Sequence, residues 1–204
     1  RDDVESRGLG DVYKRQFFMH YLTESFRPFC IFVPMLEKNE IIQSALQNLK
    51  IESLNPMQEA ALEQGTGRKD VILLSPTGSG KTLAYLLPLL LTLKPNDDSV
   101  QVLILVPSRE LALQIDTVFR SMGTSWKTCC CYGGHPIAEE KKSIAGNHPA
   151  IILGTPGRIT DHLSKGNFDP ETIETLIIDE FDKSLEFGFH DEMAGIITPV
   201  SYTH

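Results

Sequence analysis

Apolar residues near the start of the chain recur with the spacing of a helix. Between positions 41 and 49, isoleucine, alanine and leucine return every three or four residues, which predicts one helix there. A second helix is predicted from about Pro56 to Gln64, because proline is favoured in the first helical turn and Gly65 ends the pattern. Beyond it, short apolar runs alternate with helical segments.

Three of these runs are apolar without interruption, as in strands buried on both faces of a parallel sheet: Val71–Leu74, Val102–Val106 and Leu176–Ile178. Right-handed crossovers would place the loops that follow the strands along one edge, where ligands bind. The pattern therefore predicts an α/β fold with three layers, a parallel sheet between helices. Two further strands are predicted, at Thr128–Cys131 and Ala150–Leu153. Helices are predicted to begin at Lys81, to run from Arg109 to about Met122, to end at Ile144, and to cover Gly157–Leu163. A last helix is predicted over Glu186–Ile197, with a break near Gly188.

Length and charge narrow the class of protein. A chain of 204 residues is long enough for one domain with a sizeable core. The formal net charge of -8 argues against a general nucleic-acid-binding protein, which would normally be basic, but it leaves room for a local basic groove. No apolar run reaches the roughly 18 residues of a membrane-spanning helix, so no membrane association is expected. Nothing in the sequence indicates a homo-oligomer.

The four cysteines, Cys30 and Cys129–Cys131, do not form a disulfide framework. The three consecutive ones suit neither a zinc site nor paired bridges, because adjacent strand residues point to opposite faces. They are typical of reduced, buried thiols in a cytoplasmic protein.

Both ends of the chain resemble a sequencing-library adaptor. Asp11–Gln16 reads DVYKRQ and residues 200–204 read VSYTH. The DNA that could encode the two segments is related. One possible coding sequence for residues 200–204 is the reverse complement of part of one possible coding sequence for Asp11–Gln16. The same reading frame of such an adaptor also yields Ser6–Gly10.

We therefore expect residues 1–16 and 200–204 to be adaptor-derived and exclude them from fold reasoning. Residues 17–34 form an uncertain upstream segment, and Met35 is a candidate for the natural start because a helical pattern follows it. The domain expected between the ends covers residues 35–199 and is truncated on its C-terminal side.

A glycine-rich segment, Ser75–Thr82, reads SPTGSGKT after a predicted strand and before a predicted helix, the context of a phosphate-binding loop. In isolation it could be only a helix entry. Gly78 and Gly80 can adopt positive φ, and backbone N–H groups at the helix start bind phosphate oxygens. Lys81 would add a positive charge near the β/γ-phosphates, and the Thr82 hydroxyl would ligate Mg²⁺. The predicted nucleotide-binding residues of the loop are Ser75, Thr77, Gly78, Ser79, Gly80, Lys81 and Thr82.

Two acidic residues, Asp179 and Glu180, end the last apolar strand. A parallel sheet can bring them beside the phosphate loop. Asp179 would then hold Mg²⁺, partly through water, and Glu180 would orient or deprotonate the attacking water. An isolated Asp-Glu pair is more often a solvated turn, but together with the phosphate loop it predicts hydrolysis of a nucleoside triphosphate.

With these residues in place, the chain resembles the first RecA-like domain of a DEAD-box ATP-dependent RNA helicase over about Met35–Thr198, which implies a P-loop NTPase (RecA-like) fold. The acidic pair belongs to a DEAD-like segment that has Phe181 where the family has alanine. The other matching segments, in the family's order, are Asn55–Gln58 (the Q motif), Pro107–Ala112 (PSRELA for PTRELA), Gly133-Gly134 and Thr155–Arg158 (TPGR).

The resemblance implies a protein that binds and hydrolyses ATP with Mg²⁺ to remodel or unwind RNA. Gln58 would read adenine through a bidentate amide contact, and Asp182 would couple this domain to the next. Arginines, hydroxyls and glycine backbone in the remaining motifs suit phosphate contacts without base specificity. The implied catalytic residues are Glu180, Lys81 and Asp179, and the implied nucleic-acid contacts are Pro107, Arg109, Gly133, Gly134, Thr155, Gly157 and Arg158.

In that family, a second RecA-like domain supplies an arginine finger and half of the RNA groove. We expect it to be the missing partner of this chain, which by itself would bind ATP weakly and hydrolyse it poorly. Two alternatives stay open: a DNA helicase or translocase, and a non-catalytic RNA-binding scaffold with a relic nucleotide site.

Overall fold

The computed structural model describes residues 35–65, 70–76 and 78–201. The predictions for residues 1–34, for Thr77 and for residues 202–204 lie outside this part of the chain. Val200, which we expected to be adaptor-derived, is within it and is fully buried.

The described residues form a parallel sheet of four strands: β1 (Val102–Leu105), β2 (Thr128–Cys131), β3 (Ile151–Gly154) and β4 (Thr175–Ile178). Their order across the sheet is β2-β3-β1-β4. The last residues of the strands are in register, since the Leu105 position is paired with both Gly154 and Ile178, and Gly154 with Cys131. The loops that follow the strands therefore start at one level along a single edge, as predicted.

Helices cover both faces of this sheet. Alternate strand residues point to opposite faces, so Val102 and Ile104 of β1 belong to one core cluster and Leu103 and Leu105 to another. The three-layer α/β prediction is confirmed, and no helix within the described ranges is long and apolar enough to cross a membrane. The helices are α1 (Met35–Asn48), α2 (Pro56–Gly65), α3 (Lys81–Thr92), α4 (Arg109–Ser121), α5 (Ile137–Asn147), α6 (Pro156–Ser164), α7 (Phe181–Glu186) and α8 (His190–Ser201), with a 3-10 turn at Pro170–Thr172.

The strand predicted at Val71–Leu74 is wrong: this segment has no regular secondary structure. Three of its four apolar side chains are exposed, with Leu74 at 87% and Ile72 at 52%, and Leu73 is half-buried. A strand needs a neighbour that completes its hydrogen bonds, and among the described strands the only neighbour of β4 is β1. The outer edge of β4 thus lacks a strand in the described residues, and its side chains are half-buried instead of fully buried.

The consecutive cysteines are free thiols, with Cys129 and Cys131 buried and Cys130 half-buried. Cys30 lies outside the described residues. Burial is the main reason that the pKa of the Cys130 thiol rises to about 12, so this thiol stays protonated at neutral pH.

Candidate active site and nucleic-acid surface

The phosphate loop has the backbone that its glycines predict. Gly78 and Gly80 have φ angles of 81° and 88°, in the left-handed region that favours glycine. Within the loop, the Ser75 and Ser79 hydroxyl oxygens lie 2.6 Å apart. The Lys81 ammonium group donates to the Ser75 carbonyl at 2.8 Å. Lys81 therefore lies against the loop that it is predicted to serve, and it would exchange this carbonyl for a phosphate oxygen.

The segment that resembles the Q motif holds the phosphate loop directly. Asn55 and Gln58 cap α2 reciprocally, because the amide oxygen of each accepts from the backbone N–H of the other at 3.0 Å. The two side-chain NH₂ groups then donate to loop carbonyls, Gln58 to Gly80 at 3.2 Å and Asn55 to Ser79 at 3.1 Å. The buried Gln58 amide keeps one N–H and one lone pair for the predicted adenine contact, which stays a prediction.

The acidic strand end lies beside the phosphate loop, as expected. Asp179 is buried, and its carboxylate accepts from the Tyr85 hydroxyl at 3.0 Å and from the Glu180 N–H at 2.9 Å. Tyr85 lies on α3, three residues after Thr82, and its hydroxyl also interacts with the Thr82 side chain. Burial, and then the charge of Asp179, raise the pKa of Tyr85, so its hydroxyl remains a donor at neutral pH.

The oxygen donors at this point fit a hard divalent cation. The Asp179 carboxylate accepts from the Tyr85 hydroxyl, the Thr82 side chain lies near the same hydroxyl, and each carboxylate oxygen has a lone pair to spare. Asp179 and Thr82 are the two predicted Mg²⁺ ligands.

Glu180 has a left-handed backbone, with φ at 50°, which costs a non-glycine residue roughly 1–2 kcal/mol. Its half-buried carboxylate accepts from the exposed Lys183 ammonium group at 2.7 Å. Exposed pairs of this kind contribute little, so the carboxylate can leave Lys183 and turn to another partner at low cost. Asp182 is exposed in the first turn of α7. The catalytic and coupling roles of the two acids stay predictions.

The predicted nucleic-acid residues form a second group along the same edge. Ser108 caps α4 through its hydroxyl, which accepts from the Leu111 N–H at 3.2 Å. Arg109 is exposed, and its guanidinium lies over the Tyr132 ring at 5.1 Å from the centroid. Pro107 is buried and therefore shapes this turn from within.

The two glycines after β2, Gly133 and Gly134, are exposed, and Gly134 has a φ of 101°. Arg158 of α6 is half-buried and reaches this loop, since its Nη2 donates to the His135 carbonyl at 2.8 Å. Thr155 is tied to the end of β2 by a backbone bond to Cys131 at 3.1 Å, and Gly157 follows it in α6. The structure thus brings Arg109, the glycine loop and Arg158 together.

Sequence reasoning missed two residues, Tyr85 and Glu140. Tyr85 had a weak signal, because a residue three positions after Thr82 lies on the same helix face. Glu140 had none. It is 4% exposed, and its carboxylate contacts four groups that lie at or near the nucleic-acid motifs.

One group of metal-ligating side chains exists in the described residues: Cys131, Glu140 and His162, with ligand atoms within 4.8 Å of one another. However, the Glu140 Oε2 and His162 Nε2 atoms are 2.6 Å apart. Two ligands on a tetrahedral zinc ion would lie about 3.3 Å apart, given bonds of about 2.0–2.1 Å. The shorter distance fits a hydrogen bond between Glu140 and His162, so these two side chains are not arranged as zinc ligands.

Comparisons with known proteins agree with this geometry. The model of the DEAD/DEAH box helicase family matches residues 55–203. The DEAD-box ATP-dependent RNA helicase CshA of Bacillus licheniformis is 32% identical over 165 residues, which cover 80% of this chain and 34% of that protein. The ATP-dependent RNA helicase CshA of Listeria monocytogenes is 35% identical over 79% of this chain and 31% of its own length.

A solved structure shares the fold. The crystal structure of a hypothetical ATP-dependent RNA helicase from Sulfolobus tokodaii matches with a TM-score of 0.70 and 32% identity, over 80% of this chain and 47% of that one. The chain thus spans about a third of the length of the curated relatives it matches. The family match covers most of the chain, including the phosphate loop and the acidic strand end. The chain belongs to the DEAD/DEAH box helicase family.

Proposed function

We propose that this chain is the ATP-binding motor domain of an ATP-dependent RNA helicase, which binds and hydrolyses ATP to remodel or unwind RNA. The main observation is the contact between the two halves of the nucleotide site: Tyr85 on the phosphate-loop helix donates to Asp179 at the end of β4. The names of the relatives and the family match support the same function.

In this proposal, the loop N–H groups and Lys81 bind the phosphates of ATP. Thr82 and Asp179 would hold Mg²⁺, partly through water, and the bound ion supplies neutralisation of phosphate charge. Glu180 would turn from Lys183 to the attacking water, orient it and accept its proton. Gln58 would contact adenine while the bond from its side-chain NH₂ group to the Gly80 carbonyl keeps the loop in place.

RNA would lie along the second group of residues. Arg109, the loop Gly133-Gly134 and Arg158 offer cationic and backbone donors of the kind that contact phosphates. Such contacts are local, so they are compatible with the net charge of -8. They also read no base, which predicts binding without strong sequence preference.

A second RecA-like domain would complete the nucleotide site and the RNA groove. The chain covers 47% of the solved neighbour and about a third of the curated relatives, which supports a larger protein. We propose that this second domain supplies an arginine finger and the other half of the RNA groove, and that Asp182 couples to it. The chain alone would then bind ATP weakly and hydrolyse it poorly.

We also propose a cytoplasmic setting. The free thiols of Cys129–Cys131 support it, because oxidising compartments favour disulfides. Fractionation of cells that express the complete protein tests this, and recovery only from an oxidising compartment would contradict it.

The test of function is ATP hydrolysis by the complete protein with and without single-stranded RNA. We expect RNA to stimulate turnover, and Glu180→Gln to lower the stimulated rate about 10²–10⁴-fold, the usual contribution of general base catalysis. Glu186→Gln is the matched control, because it removes the same charge at the exposed end of α7. If Glu180→Gln left turnover unchanged, the catalytic role proposed for Glu180 would be wrong. If the wild-type protein showed no turnover at all, the non-catalytic scaffold would be the better description. Equal stimulation by DNA would favour the DNA translocase.

A further inference from the structure

One buried carboxylate lies at the centre of the proposed RNA surface. Glu140 is in the first turn of α5 and is 4% exposed. Its Oε1 atom accepts from the Tyr132 backbone N–H at 2.9 Å and lies 2.8 Å from His135 Nε2. Its Oε2 atom lies 2.6 Å from His162 Nε2 and 3.7 Å from Arg158 Nε. A charge buried this deeply is stable only because it is paired and hydrogen-bonded.

The first oxygen closes the glycine loop. Tyr132 and His135 flank Gly133 and Gly134 on either side, and both contact the same Oε1 atom. The two glycines are exposed and have no side chains that could fix their conformation. The loop therefore depends on its ends for its shape, and Glu140 holds both ends.

The second oxygen connects this loop to α6. Arg158 lies near Oε2 through Nε and donates from Nη2 to the His135 carbonyl at 2.8 Å. His162, one turn further along α6, is fully buried against the same carboxylate. The Asn167 side-chain nitrogen, 3.0 Å from His162 Nδ1, fixes the other side of the ring.

The same network extends to α4. The ring of Tyr132 carries the Arg109 guanidinium on its face, at 5.1 Å. The backbone N–H of Tyr132 is one of the donors to Glu140. A single carboxylate thus joins all three segments that carry the proposed RNA contacts.

We infer that Glu140 is a positioning residue for RNA binding: it holds the Gly133-Gly134 loop, Arg158 and, through Tyr132, Arg109 in one arrangement that RNA phosphates can meet. Glu140 itself is buried and does not touch RNA. This inference rests on the proposed function, since it assumes that these segments bind RNA.

The chemistry of the pair of oxygens suggests the substitution that tests this role. In Glu140→Gln the side chain keeps its size, but one oxygen becomes an NH₂ group. The Tyr132 N–H on one oxygen and the Arg158 guanidinium near the other can only donate, so the new NH₂ group faces a donor whichever oxygen it replaces. Either the glycine loop or the α6 contacts must then rearrange. Glu139→Gln is the matched control, because the neighbouring Glu139 is exposed and loses the same charge.

The experiment measures ATP hydrolysis by the complete protein against the concentration of single-stranded RNA. For Glu140→Gln we expect the RNA concentration at half-maximal stimulation to rise about tenfold, the size of effect that a lost charge-assisted contact produces. The rate at saturating RNA and the KM for ATP should stay within twofold of the wild type. Glu139→Gln should behave as the wild type.

The outcomes separate the two levels of the proposal. If RNA does not stimulate the wild-type protein, the proposed function fails. If it does and Glu140→Gln matches Glu139→Gln, the positioning role is wrong. Equal losses in the RNA response, the rate at saturating RNA and the KM for ATP would show a general structural defect and would also overturn it.

A second variant keeps the test decisive if Glu140→Gln does not fold. His135→Ala removes one of the two contacts that close the loop, and the His135 side chain is 27% exposed, so the core is left intact. We expect a smaller rise in the half-maximal RNA concentration, about threefold, with an unchanged KM for ATP. An RNA response identical to that of the wild type would overturn the inference.

Discussion

Replacement of Gly80 by alanine should damage the nucleotide site more than the same replacement at Gly78. Both glycines have left-handed φ angles, 88° and 81°. An alanine there costs roughly 1–2 kcal/mol in backbone strain. The two sites differ in space: a Cβ on Gly80 would lie 2.5 Å from Gln58 Nε2, whereas a Cβ on Gly78 meets nothing within 4 Å.

The additional cost at Gly80 comes from Gln58. Its amide must move away, which breaks the 3.2 Å hydrogen bond to the Gly80 carbonyl, a bond worth about 0.5–1.5 kcal/mol. ATP binding needs the loop in this conformation, so the free-energy cost of each substitution is lost from the binding free energy. Gly78→Ala carries only the backbone strain and should weaken ATP binding about tenfold. Gly80→Ala should weaken it roughly a further threefold to tenfold, since 1.4 kcal/mol corresponds to a factor of ten.

Titration of the complete protein with a fluorescent ATP analogue measures these dissociation constants. Gly146→Ala is the control, because Gly146 is helical, is exposed and has open space around it. Gln58→Ala removes the obstructing amide, so in that background Gly80→Ala should cost no more than Gly78→Ala does in the wild type. The reasoning is refuted if Gly78→Ala is as harmful as Gly80→Ala, or if Gln58→Ala brings no relief.

Two further predictions concern Tyr85 and Cys130. Tyr85→Phe removes the hydroxyl that donates to Asp179, so we expect turnover to fall about tenfold and the Mg²⁺ concentration at half-maximal rate to rise. An unchanged Mg²⁺ dependence would contradict this. Burial raises the pKa of Cys130 from 9.0 to about 12 in the folded protein. As pH rises, the unfolded chain therefore loses this proton before the folded chain does. The free energy of unfolding should decline between about pH 9 and pH 12 for this reason. Thermal unfolding over that pH range should show a smaller decline of the unfolding temperature for Cys130→Ala than for the wild type. An identical pH dependence in the two proteins would refute the raised pKa of Cys130.

Local patterns predicted most of the fold. The helix from Pro56 follows from its proline and its glycine end, which lie within ten residues of one another. The positive φ angles of Gly78 and Gly80 follow from the motif for the same reason, since they depend on neighbouring residues alone. Val102–Leu105 was predictable as a buried strand because its composition requires burial on both faces.

Features that depend on distant residues were not predictable. Val71–Leu74 has the composition of a strand, but a strand exists only where another one pairs with it, and no local signal reports that partner. Glu140 follows Glu139 in the sequence, and the two acids look equivalent there. The difference arises because His162 and Arg158, about twenty residues away, converge on one of them in the folded chain.

The exposed segment Val71–Leu74 and the outer edge of β4 matter for handling this chain. Leu74 is 87% exposed, and in the described residues β4 leaves one side of its backbone ladder unpaired. An apolar segment and an open strand edge are the two surfaces through which copies of a protein add to one another. We therefore expect copies of this chain to associate as its concentration rises. This self-association, rather than unfolding, should set the highest protein concentration at which the chain alone stays in solution.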